Sequence, residues 1–148
     1  MTPATALTAV VARLNAVPGL VECVSSNGLL DGGSLRLDRG FAVKPNGLKF
    51  LAKNRNASRA DGARVDQGFI IQIGHVLTPT AGQSSPTTAL TDLDTVIRYL
   101  WTPDTSLTSG GGAAIYMGNV QSLYQAGGEY MIHQLEIRLH YNLPLTPP

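Results

Sequence analysis

Leu135-Glu136-Ile137-Arg138-Leu139-His140-Tyr141 decides how this chain is read. Apolar and polar residues alternate there without a break. Leu135, Ile137, Leu139, Tyr141 and Leu143 point one way, and Gln134, Glu136, Arg138, His140 and Asn142 the other. A period of two over about ten residues is that of a strand with one buried and one wet face. The pattern reaches back to Glu129. Ala126-Gly127-Gly128 is turn chemistry, and Ala113 to Tyr124 before it reads as the partner strand, so the C-terminal part is a long β-hairpin.

Working towards the N-terminus, Val65 to Leu77 is a second strand. Phe69, Ile71, Ile73, His75 and Leu77 share one face, and Ile70, Gln72 and Val76 the other. Apolar character on both faces is expected of a central strand. Between these strands, Ala89 to Trp101 has helical periodicity, with Leu90, Leu93, Val96, Ile97, Leu100 and Trp101 in one stripe. Asp92 and Asp94 then fall in its first turns, where the helix dipole favours anions, and Arg98 stands four residues after Asp94. Residues 4 to 17 form another amphipathic helix on Leu7, Val10, Val11 and Leu14, capped by Thr2-Pro3 and ended by Pro18-Gly19. Leu20 to Val24 and Phe41 to Val43 read as short strands. Pro45-Asn46-Gly47 stops the latter, and Leu48 to Leu51 continues after the turn. The expected fold is α+β: a mixed or antiparallel sheet packed by two helices, with the C-terminal hairpin and an extended basic loop or arm over roughly residues 27–63. The 148 residues, 1–148, fit a single domain.

Charge is distributed unevenly. Eight of the eleven Lys and Arg residues lie between Arg36 and Arg64, with only Asp38 and Asp61 against them, so that stretch carries 8 − 2 = +6. The remainder carries 3 − 8 = −5. Such a split bears on association with something acidic, either nucleic acid or the acidic body of another copy. A solvated basic loop is the plainer reading of the same residues. Only 14% of the chain is charged, against about a quarter in ordinary domains, which agrees with a surface partly covered by neighbours.

Recognisable reaction chemistry is missing from the sequence. His75, His133 and His140 have no metal-ligand spacing, and His133 and His140 fall on opposite faces of one strand. Gly110-Gly111-Gly112 precedes a strand and not a helix, which is wrong for a phosphate cradle. Cys23, the single cysteine, sits among valines as a buried thiol would. No helix is basic, so any contact with DNA would be to backbone. No cofactor or metal is expected, nor an enzymatic activity. The N-terminus lacks a secretory signal and no apolar run could span a bilayer, so assembly in a cytoplasm is expected, without membrane association.

The order of elements resembles a tail terminator (tail completion) protein of tailed bacteriophages, of the lambda-like type. The resemblance lies in Leu7 to Val24, in Gln67-Gly68-Phe69-Ile70-Ile71-Gln72-Ile73, in Leu90 to Trp101 and in the closing strand Leu135 to Tyr141. It implies a structural virion protein that forms a homohexameric ring. Such a ring caps the tail tube, ends its polymerisation and meets the head-side connector or neck protein, with DNA passing through its lumen. Another neck or tail-tube ring component and a small cytoplasmic binding module remain open as alternatives. Residues expected at subunit or partner interfaces are Lys44, Lys49, Lys53, Arg55 and Arg59 in the basic stretch. Glu136, Arg138 and His140 on the wet face of the last strand complete the set.

Overall fold

A computed structural model describes residues 1–23, 38–51, 62–77, 84–101, 114–125 and 128–144. The elements are α1 (Pro3–Asn15), β1 (Val21–Glu22), β2 (Gly40–Phe50), β3 (Ala63–Val76), α2 (Pro86–Trp101), β4 (Ala114–Gln125) and β5 (Tyr130–Leu143). The strands form one mixed sheet of five in the order β1-β2-β3-β5-β4. β1 runs parallel to β2, and every other neighbouring pair is antiparallel. The α+β architecture expected from the sequence is therefore present, with β3 and β5 as the central pair.

Both helices pack on one face of the sheet. Ala6, Val10 and Leu14 of α1 and Val96 and Leu100 of α2 join Phe41, Val65, Phe69, Ile71, Ile73, Leu135, Ile137, Leu139 and Tyr141 in one buried cluster. The strand residues in it obey the period-two rule, because Phe69 lies opposite Ile137 and Ile71 opposite Leu135. Residues one position along the strands point to the other face, where Ala42, Tyr130 and Ile132 form a second, smaller buried cluster with Cys23 and Val76 packed against it. Arg13 ties the two helices together. Its Nη1 donates to the Leu100 carbonyl at 2.7 Å, satisfying one of the carbonyls that a helix C-terminus leaves without a partner.

Two local readings change. Pro45-Asn46-Gly47 does not stop β2. The register with β3 shifts between Pro45 and Leu48, a bulge inside one continuous strand. This is tolerated because β1 pairs only with Gly40 and Phe41, so among the described residues Pro45 lies on an edge where its missing N–H costs no ladder bond. Gly47 takes a φ of 80°, a left-handed conformation that glycine adopts freely. The second change is that α2 begins at Pro86 and not near Ala89. Ser85 Oγ accepts from the Thr88 N–H at 3.1 Å and Pro86 supplies the first helical residue, so cap and proline together set the start. Asp92 is consequently in the second turn and the dipole does not explain it. Asp94 and Arg98 do pair as expected, at 2.7 Å on an exposed surface.

Candidate interaction surface

Five of the eight residues expected at interfaces have described positions, and the sheet brings them together. Glu136, Arg138 and His140 lie half-buried on the face of β5 away from the helices. On β2, Lys44 lies opposite Ile70, which lies opposite Glu136. Lys49 lies opposite Asp66, which lies opposite His140. In an unbroken strand, two residues five apart point to opposite faces. The bulge at Pro45–Leu48 adds the extra step that turns Lys44 and Lys49 to the same side. Lys53, Arg55 and Arg59 lie outside the described residues. So does most of the proposed arm; the part between Gly40 and Phe50 is β2 itself.

Gly68 makes the bulge possible. It faces the side away from the helices, beneath Asn46, and a Cβ there would collide with the Asn46 carbonyl oxygen. The same lack of a side chain leaves room for Arg138, the residue opposite Gly68 on β5, to reach Asp66. Arg138 Nε donates to both carboxylate oxygens, at 2.8 and 2.9 Å, and Nη2 approaches Oδ2 at 2.7 Å. Hydrogen bonding from Arg138 holds the Asp66 carboxyl below its ordinary range. Burial opposes this, and the charges of Arg138, His140 and Lys49 reinforce it. His140 Nε2 stands 3.6 Å from Asp66, and its ring packs against Tyr116 with centroids 4.4 Å apart. Arg138→Ala should return the Asp66 carboxyl towards its ordinary value. Side-chain NMR titration reads this directly, and an unmoved Asp66 would show that the pair does not set the charge of the surface.

A second polar group lies on the helix side. Asp92 accepts from Arg39 Nε at 2.8 Å and Nη2 at 2.6 Å, and shares a 2.9 Å hydrogen bond with His75 Nε2. Burial alone would raise the Asp92 carboxyl, but its bonds to Arg39 and His75 outweigh this and hold it low. Arg39, counted by sequence within the basic stretch, is thus bound to the body of the domain. His75 is fully buried and hydrogen-bonded. Its ring meets His133 edge-on at 5.8 Å between centroids. His133 Nδ1 is 2.8 Å from Ser122 Oγ. Burial, then the nearby His75, pushes the His133 ring below its ordinary value, against weaker upward pulls from the Ala89 backbone and Asp92. Serine and aspartate therefore bond to different histidines, and Glu136 lies on the opposite face, so these residues do not form a serine–histidine–aspartate relay.

Sequence reasoning missed Arg39, Asp66 and Tyr116. An acid at position 66 inside a strand was the available signal, since a buried carboxylate demands a partner. Its partner was not legible without the β3–β5 register. Among the described residues, no group of three or more His, Cys, Asp or Glu could hold a metal ion, and no helix is long and apolar enough to cross a membrane. No protein-family model and no curated protein matches the chain.

Proposed function

We propose that this chain is a structural virion protein, a ring-forming tail terminator that caps the tail tube and joins it to the head-side connector. The observation that carries the reading is the charged part of the sheet face away from the helices. Three strands deliver Lys44, Lys49, Asp66, Glu136, Arg138 and His140 to one surface while both helices occupy the other. A mixed-charge sheet face suits recognition between subunits, where complementary potentials fix register and orientation more than they add affinity. The order of helix, strands, helix and hairpin adds the resemblance to tail terminators. A role as another neck or tail-tube ring component fits the same surface, and arrest of tube growth by the added protein separates the two. No catalytic role is proposed. If the surface faces a lumen, Lys44, Lys49 and Arg64 would meet DNA phosphates without reading sequence.

Mass in solution at low and at high salt tests the reading. The expected result is a sixfold species of the 15.6 kDa chain that loosens as salt screens the charged surface. A monomer at every salt and concentration would favour a small binding module over a ring component.

A further inference from the structure

β4 ends the sheet among the described residues. Its 12 residues, Ala114 to Gln125, contain no Lys, Arg, Asp, Glu or Pro. Apart from one bulge between Met117 and Val120, the features that keep an edge strand from pairing are therefore missing. After the bulge, Val120 to Gln125 pairs without interruption with Tyr130 to Leu135 of β5, a stretch that also has no Lys, Arg, Asp or Glu. Val120, Leu123 and Tyr124 in the run are exposed, Tyr124 by 63%. An edge strand leaves half of its backbone N–H and C=O groups pointing outward, so this run is a template for another strand.

α2 widens the same surface. Asp92 on one flank of the helix holds Arg39 and His75, so that flank points towards β2 and β3. The opposite flank, with Leu90, Leu93, Ile97 and Trp101, therefore points towards the β4 edge. Leu93 and Ile97 reach the core that Ile115 and Met117 of β4 also touch, while Leu90 and Trp101 stay more than half exposed. The Ala89 backbone lies close to His133 of β5, which meets Ser122 of β4, so the start of this flank stands beside the Val120–Tyr124 run. Val120 lies opposite Leu135 of the helix-side core, which turns Val120, Ser122 and Tyr124 to the helix side as well.

The order of residues in the run suits a second copy of itself. In antiparallel pairing centred on Ser122, opposite residues keep to the same face. Val120 then meets Tyr124 of the other copy, and Tyr124 meets its Val120. Both are aromatic–β-branched pairs, which stabilise antiparallel sheets. Gln121 meets Leu123 on the other face, no charge is set against a like charge, and the two α2 flanks come together over the joined strands. The β2 edge offers no such match, since β1 occupies it at Gly40 and Phe41 and Lys44, Pro45 and Lys49 lie along the rest.

We propose that two copies of this chain pair through antiparallel β4 edges about a two-fold axis at Ser122, making one continuous sheet from the five strands of each. Like edges meeting make a closed pair and not a ring, so this contact is separate from the charged face and does not rest on the ring reading. A six-copy ring that contained it would be three pairs joined through the charged face.

Sedimentation at low and high salt reads the pair. Because no charge takes part, high salt should reduce larger species to a two-copy species and no further. Val120→Lys with Tyr124→Lys sets lysine against lysine at both symmetric contacts and should raise the dissociation constant of the pair at least about tenfold. Val120→Lys with Tyr124→Glu makes as many polar substitutions but sets lysine against glutamate, and should pair at least about fivefold more tightly than the double lysine. Equal constants for the two variants overturn the contact, since a folding defect would strike both alike. In a Cys23→Ala background, Ser122→Cys should form chain-to-chain disulfides on oxidation, because position 122 meets its own copy, and Val120→Cys should not. Disulfides from Val120→Cys and none from Ser122→Cys overturn the proposed pairing. So does a wild type that high salt takes directly to monomer, or one that is monomeric at every concentration. A two-copy species at every salt supports the pair and counts against the ring.

Discussion

Asp92→Ala is expected to cost about 3 kcal/mol of stability, near the lower end for breaking a buried ion pair. The Asp92 side chain is only 7% exposed and holds two partners from different parts of the chain, Arg39 just before β2 and His75 at the end of β3. Without the carboxylate, the guanidinium keeps some access to water, since its side chain is 33% exposed, but His75 is fully buried and loses the partner of its Nε2. An orphaned buried polar group costs its desolvation, which exceeds what the bond added when made. The exposure of Arg39 places the expected loss near the bottom of the range. Urea unfolding at neutral pH measures it, and a loss below about 1 kcal/mol would mean that the cluster is no more than surface decoration.

Acid provides an independent check of the same cluster. Folding lowers the Asp92 carboxyl below its ordinary value. A group of that kind contributes stability fully above its unfolded value, near 4, and loses it as pH falls through the folded value. Asp66 adds a contribution of the same sign through Arg138. Stability of the wild type should thus fall as pH drops below about 4. The fall should be shallower in Asp92→Asn, which cannot titrate. Equal slopes in the two proteins would remove Asp92 as a source of acid sensitivity.

The elements that could be read from the sequence are those whose side chains repeat. β5 alternates cleanly from Gln134 onward because one of its faces there is core and the other is only half-buried, and α1 shows its stripe because only one side packs. β2 was harder. Its polar and apolar residues lose their alternation at the bulge, so it reads as two fragments around Pro45-Asn46-Gly47. The site was half legible for the same reason. Glu136, Arg138 and His140 follow from the period of β5, but their convergence with Lys44 and Lys49 depends on a register shift that no local pattern records. Asp92 was misread because the start of α2 was placed three residues late, which put a buried ion-pair residue where a dipole argument would have sufficed.

The bulge leads to the second large effect. Gly68→Ala is expected to cost about 2 kcal/mol, a typical price for forcing atoms into a filled space. Gly68 has no left-handed backbone angle, so strain of that kind plays no part. The cost comes from the Asn46 carbonyl, a backbone atom that can withdraw only if β2 moves. Moving β2 there loosens Leu48, Lys49 and Phe50 against Gln67, Asp66 and Val65, while the β3–β5 pairing is untouched. Amide exchange should therefore quicken from Leu48 to Leu51 and stay slow along β5, a pattern that a general loss of stability would not give. Lys49 would then leave its place beside Asp66, and any assembly that depends on the outer half of β2 should weaken with it. Uniform exchange changes across all strands would show that the bulge and Gly68 do not act as a local unit.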